Sequence, residues 1–133
     1  MRLKKTNPAR DYAVSAFRYW ARVGCPEYDE TVRRIALHGH DQDAESAKIA
    51  DILACAETFR RLEESGRTVI RDAVRAVYMV VPERQPSRKE LTARVLAYAR
   101  EAYVVERQVW RYLAEACTVF AECRGLRTDD DEV

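Results

Sequence analysis

Glycine and proline are scarce in this chain, at four each, and nearly all of them fall between periodic segments or beside a helix start. With so few breakers the sequence reads as almost entirely helical. Long apolar runs are also missing. Nothing approaches the roughly 18–20 residues that cross a bilayer, so no membrane partner is expected. The start, Met1-Arg2-Leu3-Lys4-Lys5, is basic but leads into polar residues, unlike a signal peptide, and a cytoplasmic address is the default expectation.

Chemistry-bearing motifs are equally thin. No phosphate-cradling glycine loop, dinucleotide fingerprint or nucleophile elbow occurs. Cys25, Cys55, Cys117 and Cys123 form no C-x-x-C pair, and each lies in or beside an apolar helical segment. That is how buried free thiols sit in a protein from a reducing compartment. His38-Gly39-His40-Asp41 has the outline of a metal-hydrolase ligand run. However, Gln42 stands where that run needs an acid, and there is no third histidine for a catalytic zinc set. A polar inter-helix loop is the simpler reading, with no metal. Glu63 and Glu64 lie near a helix end among basic neighbours, as surface carboxylates do. Neither enzymatic activity nor a cofactor is expected.

What is present is a globular composition. The chain has 133 residues, 47% of them hydrophobic and 34% charged, enough for one domain with a real core. The net charge of +1 conceals a segregation. Acids and bases balance over 1–65, bases exceed acids over 66–128, and Asp129-Asp130-Asp131-Glu132 forms an acidic tail. A basic C-terminal half suits a partner with a phosphate backbone.

The helices can be placed from their ends. Asn7 before Pro8 is an N-cap followed by a proline at the first helical position, and Gly24 is placed to end that helix. Ala13, Ala16, Phe17, Trp20 and Val23 form its expected inner face. Pro26 opens a short helix with Tyr28, Val32, Ile35 and Ala36 as its inner side, breaking at His38-Gly39-His40. Asp41 or Asp43 caps a longer helix running to about Ser65 and Gly66. Its stripe of Ile49, Ile52, Ala56 and Phe59 covers only about two heptads, which favours packing within the chain over a coiled-coil dimer. Thr68 starts a further helix with Val69, Ala73, Val77 and Val80 or Val81 inward, and Pro82 stops it.

The most informative stretch is Ser87 to Leu126. Ser87 with Glu90 three residues on is a capping box. Val109, Tyr112, Leu113, Ala116, Cys117 and Phe120 then mark one face of a helix. The opposite face carries Arg107, Gln108, Arg111, Ala114, Glu115 and Thr118. Arg and Gln near the start of the second of two consecutive helices are the residue types that read base edges in a helix-turn-helix. Arg107, Gln108 and Arg111 are therefore candidate base contacts, weighed against a solvated face with Arg111 paired to Glu115. Arg88, Lys89 and Arg94 are candidate phosphate clamps. Trp110 and Tyr112 are expected to pack at the core or its rim.

With these residues laid out, the chain resembles a family of small regulators from phages and mobile elements of Gram-positive bacteria, whose C-terminal part is similar to region 4 of sigma-70 factors. The likeness rests on Arg10-Asp11-Tyr12-Ala13, Ala16-Phe17-Arg18 and Ala73-Val74-Arg75-Ala76-Val77-Tyr78 with Pro82. It is strongest over Glu106-Arg107-Gln108-Val109-Trp110-Arg111-Tyr112-Leu113, followed by Glu115-Ala116 and Phe120-Ala121-Glu122 with Arg124-Gly125-Leu126-Arg127. Val105 stands where the family usually places a serine cap, and the connection near Arg100 to Val104 lacks glycine and reads as longer than the tightest turn of the motif.

The resemblance implies an all-α bundle with a C-terminal helix-turn-helix that binds double-stranded DNA, regulates phage or mobile-element genes and has RNA polymerase as a further candidate partner. The expected organisation is an N-terminal helical region over 1–65 for dimerisation or partner contact, a DNA-binding region over 66–128, and the acidic tail over 129–133. The competing expectation is a non-enzymatic helical interaction module, such as a packaging subunit or polymerase adaptor, that uses the helix-turn-helix as scaffold.

Overall fold

The computed structural model describes residues 7–38 and 43–126. Among the described residues there are six helices and no strand: α1 (Pro8–Arg22), α2 (Tyr28–His38), α3 (Asp43–Glu64), α4 (Thr68–Tyr78), α5 (Arg88–Ala102) and α6 (Glu106–Arg124). The all-α expectation is met. Among the described residues, helix α6 lies against α1, α3, α4 and α5, whereas α3 is the one helix that α2 touches. Gly39, His40, Asp41, Gln42 and the acidic tail lie outside the described residues. None of the six helices is long and apolar enough to cross a membrane.

Local chemistry accounts for most helix ends. The Asn7 side chain accepts a hydrogen bond from the Arg10 amide at 3.1 Å, and Pro8 occupies the first turn of α1. Gly24, at φ +89°, takes the left-handed conformation that turns the chain after α1. Ala13, Ala16, Phe17 and Trp20 are buried as expected, but Val23 lies beyond the last helical residue and is exposed.

Helix α2 departs further from expectation. Tyr28, Val32 and Ala36 are exposed, Ile35 is half-buried, and the buried residue is Thr31, whose hydroxyl donates to the Glu27 carbonyl at 2.8 Å. A helix resting on a single neighbour buries a narrow line instead of a broad face. In α3, Ala56 and Phe59 are buried and Ile52 packs against the core, so the stripe is spent within the chain.

Helix α4 ends at Tyr78, so Val80 and Val81 are exposed instead of facing inward. Continuing the helix would bring the Pro82 ring against the Tyr78 carbonyl four residues back, and Pro82 has no N–H to donate to it. Ile70, Ala73, Val74, Val77 and Tyr78 form the inner face that results.

The capping box of α5 is complete. The Ser87 hydroxyl accepts from the Glu90 amide at 3.1 Å, and the Glu90 carboxylate accepts from the Ser87 amide at 3.1 Å. Arg84 grips the same carboxylate with two hydrogen bonds of 2.7 and 2.8 Å. The Arg84 bonds first, and the Ser87 amide second, hold the Glu90 carboxyl down to about 2, from an ordinary value of 4.5. A carboxyl lowered by folding contributes fully above its unfolded value and loses that contribution as pH falls through the folded one. The urea midpoint of the native chain is therefore expected to drop between about pH 5 and pH 2.5, by more than in a Glu90→Gln variant. Equal drops in the two proteins would show that the box is not the source.

One apolar core crosses from the 1–65 segment into the 66–128 segment. Its centre is aromatic. The Phe120 ring lies 5.5 Å from Phe17 and 6.1 Å from Tyr12, and Trp20 meets Phe59 edge-on at 4.8 Å. At one rim Asp51 of α3 accepts from the Tyr12 hydroxyl of α1 at 2.7 Å and from Arg124 Nε of α6 at 2.9 Å, tying three helices at a single carboxylate.

Candidate nucleic-acid interface

Helices α5 and α6 are joined by three residues, Tyr103 to Val105. This corrects the reading of a connection longer than the tightest turn of the motif. The Val104 amide donates to the Ala99 carbonyl at 3.0 Å and the Tyr103 amide to the Arg100 carbonyl at 3.4 Å, the paired bonds of a Schellman ending. That ending needs one residue in the left-handed region, usually glycine. Here Tyr103 takes it, at φ 60° and ψ 41°. A β-carbon in that conformation costs about 1–2 kcal/mol. Tyr103→Gly is accordingly expected to stabilise the fold by about 1 kcal/mol, a rise of a few degrees in thermal midpoint. An unchanged or lower midpoint would mean that the tyrosine side chain compensates for its backbone.

Helix α6 presents two distinct sides. Val109, Leu113, Ala116, Cys117 and Phe120 are buried and Tyr112 is half-buried, as the spacing predicts. Burial pushes the Cys117 thiol up to about 12, so it is an inert apolar filler and not a nucleophile. Arg107, Arg111, Ala114, Glu115 and Thr118 are exposed along an arc of about 100°. Gln108 is half-buried at the edge of that arc.

The Arg111–Glu115 pair of the alternative, solvated-face reading does not form. Glu115 is instead taken by Arg67, from the α3–α4 connection, at 2.6 Å. Among the described residues neither Arg107 nor Arg111 forms an ion pair, so both guanidinium groups stand free on the outer side of α6. At the start of α6, Val105 supplies no side-chain cap; the Gln108 amide donates to the Val105 carbonyl at 3.0 Å instead.

The three residues picked as phosphate clamps divide. Arg88 and Lys89 are exposed on the first turn of α5 and form no ion pair among the described residues. Arg94 points inward. It is largely covered, and its guanidinium donates to the Val77 carbonyl at 2.9 Å, satisfying the end of α4. Arg94 therefore joins α5 to α4 and is not available as a surface clamp.

Periodicity did not single out Tyr103 or Val105, yet they are the most exposed large apolar side chains at this end of the molecule, at 95% and 70%. The absence of glycine from the connection was the one available signal. Trp110 is half-buried, and its indole N–H donates to the Glu106 carboxylate at 3.2 Å, which steadies the first turn of α6.

No family model, curated protein or solved structure matches this chain. The likeness to sigma-70 region 4 thus rests on the quoted residues alone. Among the described residues, no group of three or more His, Cys, Asp or Glu is placed to hold a metal ion.

Proposed function

We propose that this chain is a sequence-specific DNA-binding regulator of phage or mobile-element genes, with α5 and α6 acting as a helix-turn-helix and α6 addressing the major groove. The observation that carries the reading is the outer arc of α6, where Arg107 and Arg111 are solvent-exposed and, among the described residues, form no ion pair. Arginine in that state is ready for guanine O6 and N7, or for phosphate, without breaking an existing contact. The short connection of Tyr103 to Val105 and the exposed pair Arg88 and Lys89 on α5 add support, since phosphate contacts from the preceding helix set the register of the reading helix. Half-buried Gln108 contributes at the edge of the contact.

The test is enrichment of bound duplexes from a random library, followed by anisotropy titration of the enriched and scrambled sequences at several salt concentrations. Preference for the enriched sequence, with affinity falling steeply as salt rises, is the expected result. Absent or salt-insensitive binding would remove the proposal. Single replacements of Arg88 or Lys89 by alanine are expected to weaken both duplexes alike and to reduce the salt slope by about one each.

A second reading, a helical module that binds another protein such as RNA polymerase or a second copy of the chain, is favoured by one feature. Tyr103 and Val105 place bare apolar surface at the α5–α6 turn, and aromatic side chains in such positions often anchor protein interfaces. Loss of partner capture on Tyr103→Ser, with DNA retention unaffected, would favour that function.

A further inference from the structure

A groove of about 840 Å³ runs between α1 and the starting turns of α5 and α6. Three arginines line it: Arg10 and Arg18 from α1, and Arg88 from α5. None of the three forms an ion pair among the described residues. Arg10 shares the groove wall with Tyr78. Arg18 is half-buried, and its Nε is buried with no hydrogen-bond partner among the described residues.

A sheltered guanidinium nitrogen left without an acceptor is costly, and native structures rarely leave one so. Two further arginines converge on the same space, so three guanidinium groups outnumber the two carboxylates that line it. The apolar part of the wall is Val14, Leu91 and the indole of Trp110. Two acids also line the groove, but both are otherwise placed: Glu106 accepts from Trp110 Nε1, and Asp11 is exposed to solvent.

From this arrangement we infer that the groove is a binding site for a phosphate ester with a flat apolar body, the phosphate held by Arg10, Arg18 and Arg88 and the body laid along Trp110. Arginine forks match phosphate oxygens in pairs, and a mostly formed cleft of this size with a few converging polar groups is the usual shape of a small-ligand site. The chemistry has two sources, a free small phosphate ester or the ester backbone of a duplex reaching in past Arg88. The site needs neither Arg107 nor Arg111, so it stands apart from the base contacts proposed above.

The test uses phenyl phosphate as probe and the indole N–H signals of the full-length chain as readout. The chain has two tryptophans. Trp20 is buried and donates to the Pro26 carbonyl at 3.0 Å, so it serves as an internal reference for Trp110. At constant ionic strength, phenyl phosphate is expected to shift the Trp110 signal saturably while leaving Trp20 in place. Inorganic phosphate should need at least about ten times the concentration, because it forgoes the apolar wall.

Arg18→Gln, in a chain whose other signals show it folded, is expected to weaken phenyl phosphate by at least about tenfold. Arg88→Ala, at an exposed position that does not threaten the fold, should weaken it as well. The double variant Arg107→Ala/Arg111→Ala should bind the probe unchanged. A duplex that moves Trp110 and competes with phenyl phosphate would identify the backbone as the source; a duplex that binds without competing would identify a free ester.

No saturable movement of Trp110 up to about 10 mM phenyl phosphate would overturn the inference. So would binding indifferent to both Arg18→Gln and Arg88→Ala. If inorganic phosphate bound equally well, the apolar half of the assignment would fail. Failure of DNA binding with phenyl phosphate retained would overturn the proposed function and leave this site standing.

Discussion

Replacing Arg107 and Arg111 together by alanine is expected to abolish the discrimination between an enriched and a scrambled duplex while sparing most of the non-specific affinity. Each bidentate arginine–guanine contact is worth about 1–3 kcal/mol of discrimination. Even at the lower bound, the pair accounts for about a 30-fold preference. Both side chains are exposed, and neither forms an ion pair among the described residues, so their removal should change folding stability by less than about 0.5 kcal/mol. That separation makes the experiment clean. A double variant that unfolds normally and binds both duplexes with equal, salt-dependent affinity supports base reading by α6. One that keeps the preference of the native chain moves the reading to another surface.

The largest effect on the fold is expected at Phe120. Its side chain is fully buried and meets Phe17 and Tyr12 from α1. Truncation to alanine removes the aromatic contacts and leaves a void that rigid helices cannot close completely. Such changes cost about 3–5 kcal/mol, a large fraction of the roughly 5–15 kcal/mol that stabilises an ordinary domain. A Phe120→Ala chain should therefore show a strongly lowered urea midpoint by circular dichroism, with α1 and α6 losing their mutual packing. A shift below about 1 kcal/mol would mean that the aromatic centre collapses onto the void more readily than its packing suggests.

Reading the sequence succeeded where the signal is carried by neighbours along the chain. Asn7 with Pro8, and Ser87 with Glu90, are short-range chemistry, and each forms the bonds its residue types dictate. The stripe from Val109 to Phe120 packs inward because α6 is covered by four helices. The same periodicity failed in α2. Its apolar positions are just as regular, but among the described residues α3 is the one helix that covers them. Periodicity states which side of a helix is apolar; it does not state how many neighbours will arrive.

The candidate site divides in the same way. Arg107 and Arg111 emerged on the outer side because the inner side was well marked. Arg94 did not behave as expected, since its partner is the Val77 carbonyl, seventeen residues away in the chain. Glu115 was similarly diverted from Arg111 by Arg67 in a different connection. These are tertiary competitions between equivalent donors and acceptors, and no local pattern ranks them. Tyr103 is the converse case. A left-handed ending was required by the tight join, and the chain met it with a residue whose propensity points elsewhere.

On the proposed DNA-binding reading, α6 is both the helix packed against four others and the bearer of the exposed arginines, so the described residues hold no separate reading head to swing toward a duplex. Its aim is set by packing as distant as the Trp20–Phe59 contact, and correcting it would mean turning the whole body. Adaptation of such a reader to a new target would be channelled into exchanging outward side chains on a fixed rod, instead of re-angling the rod itself.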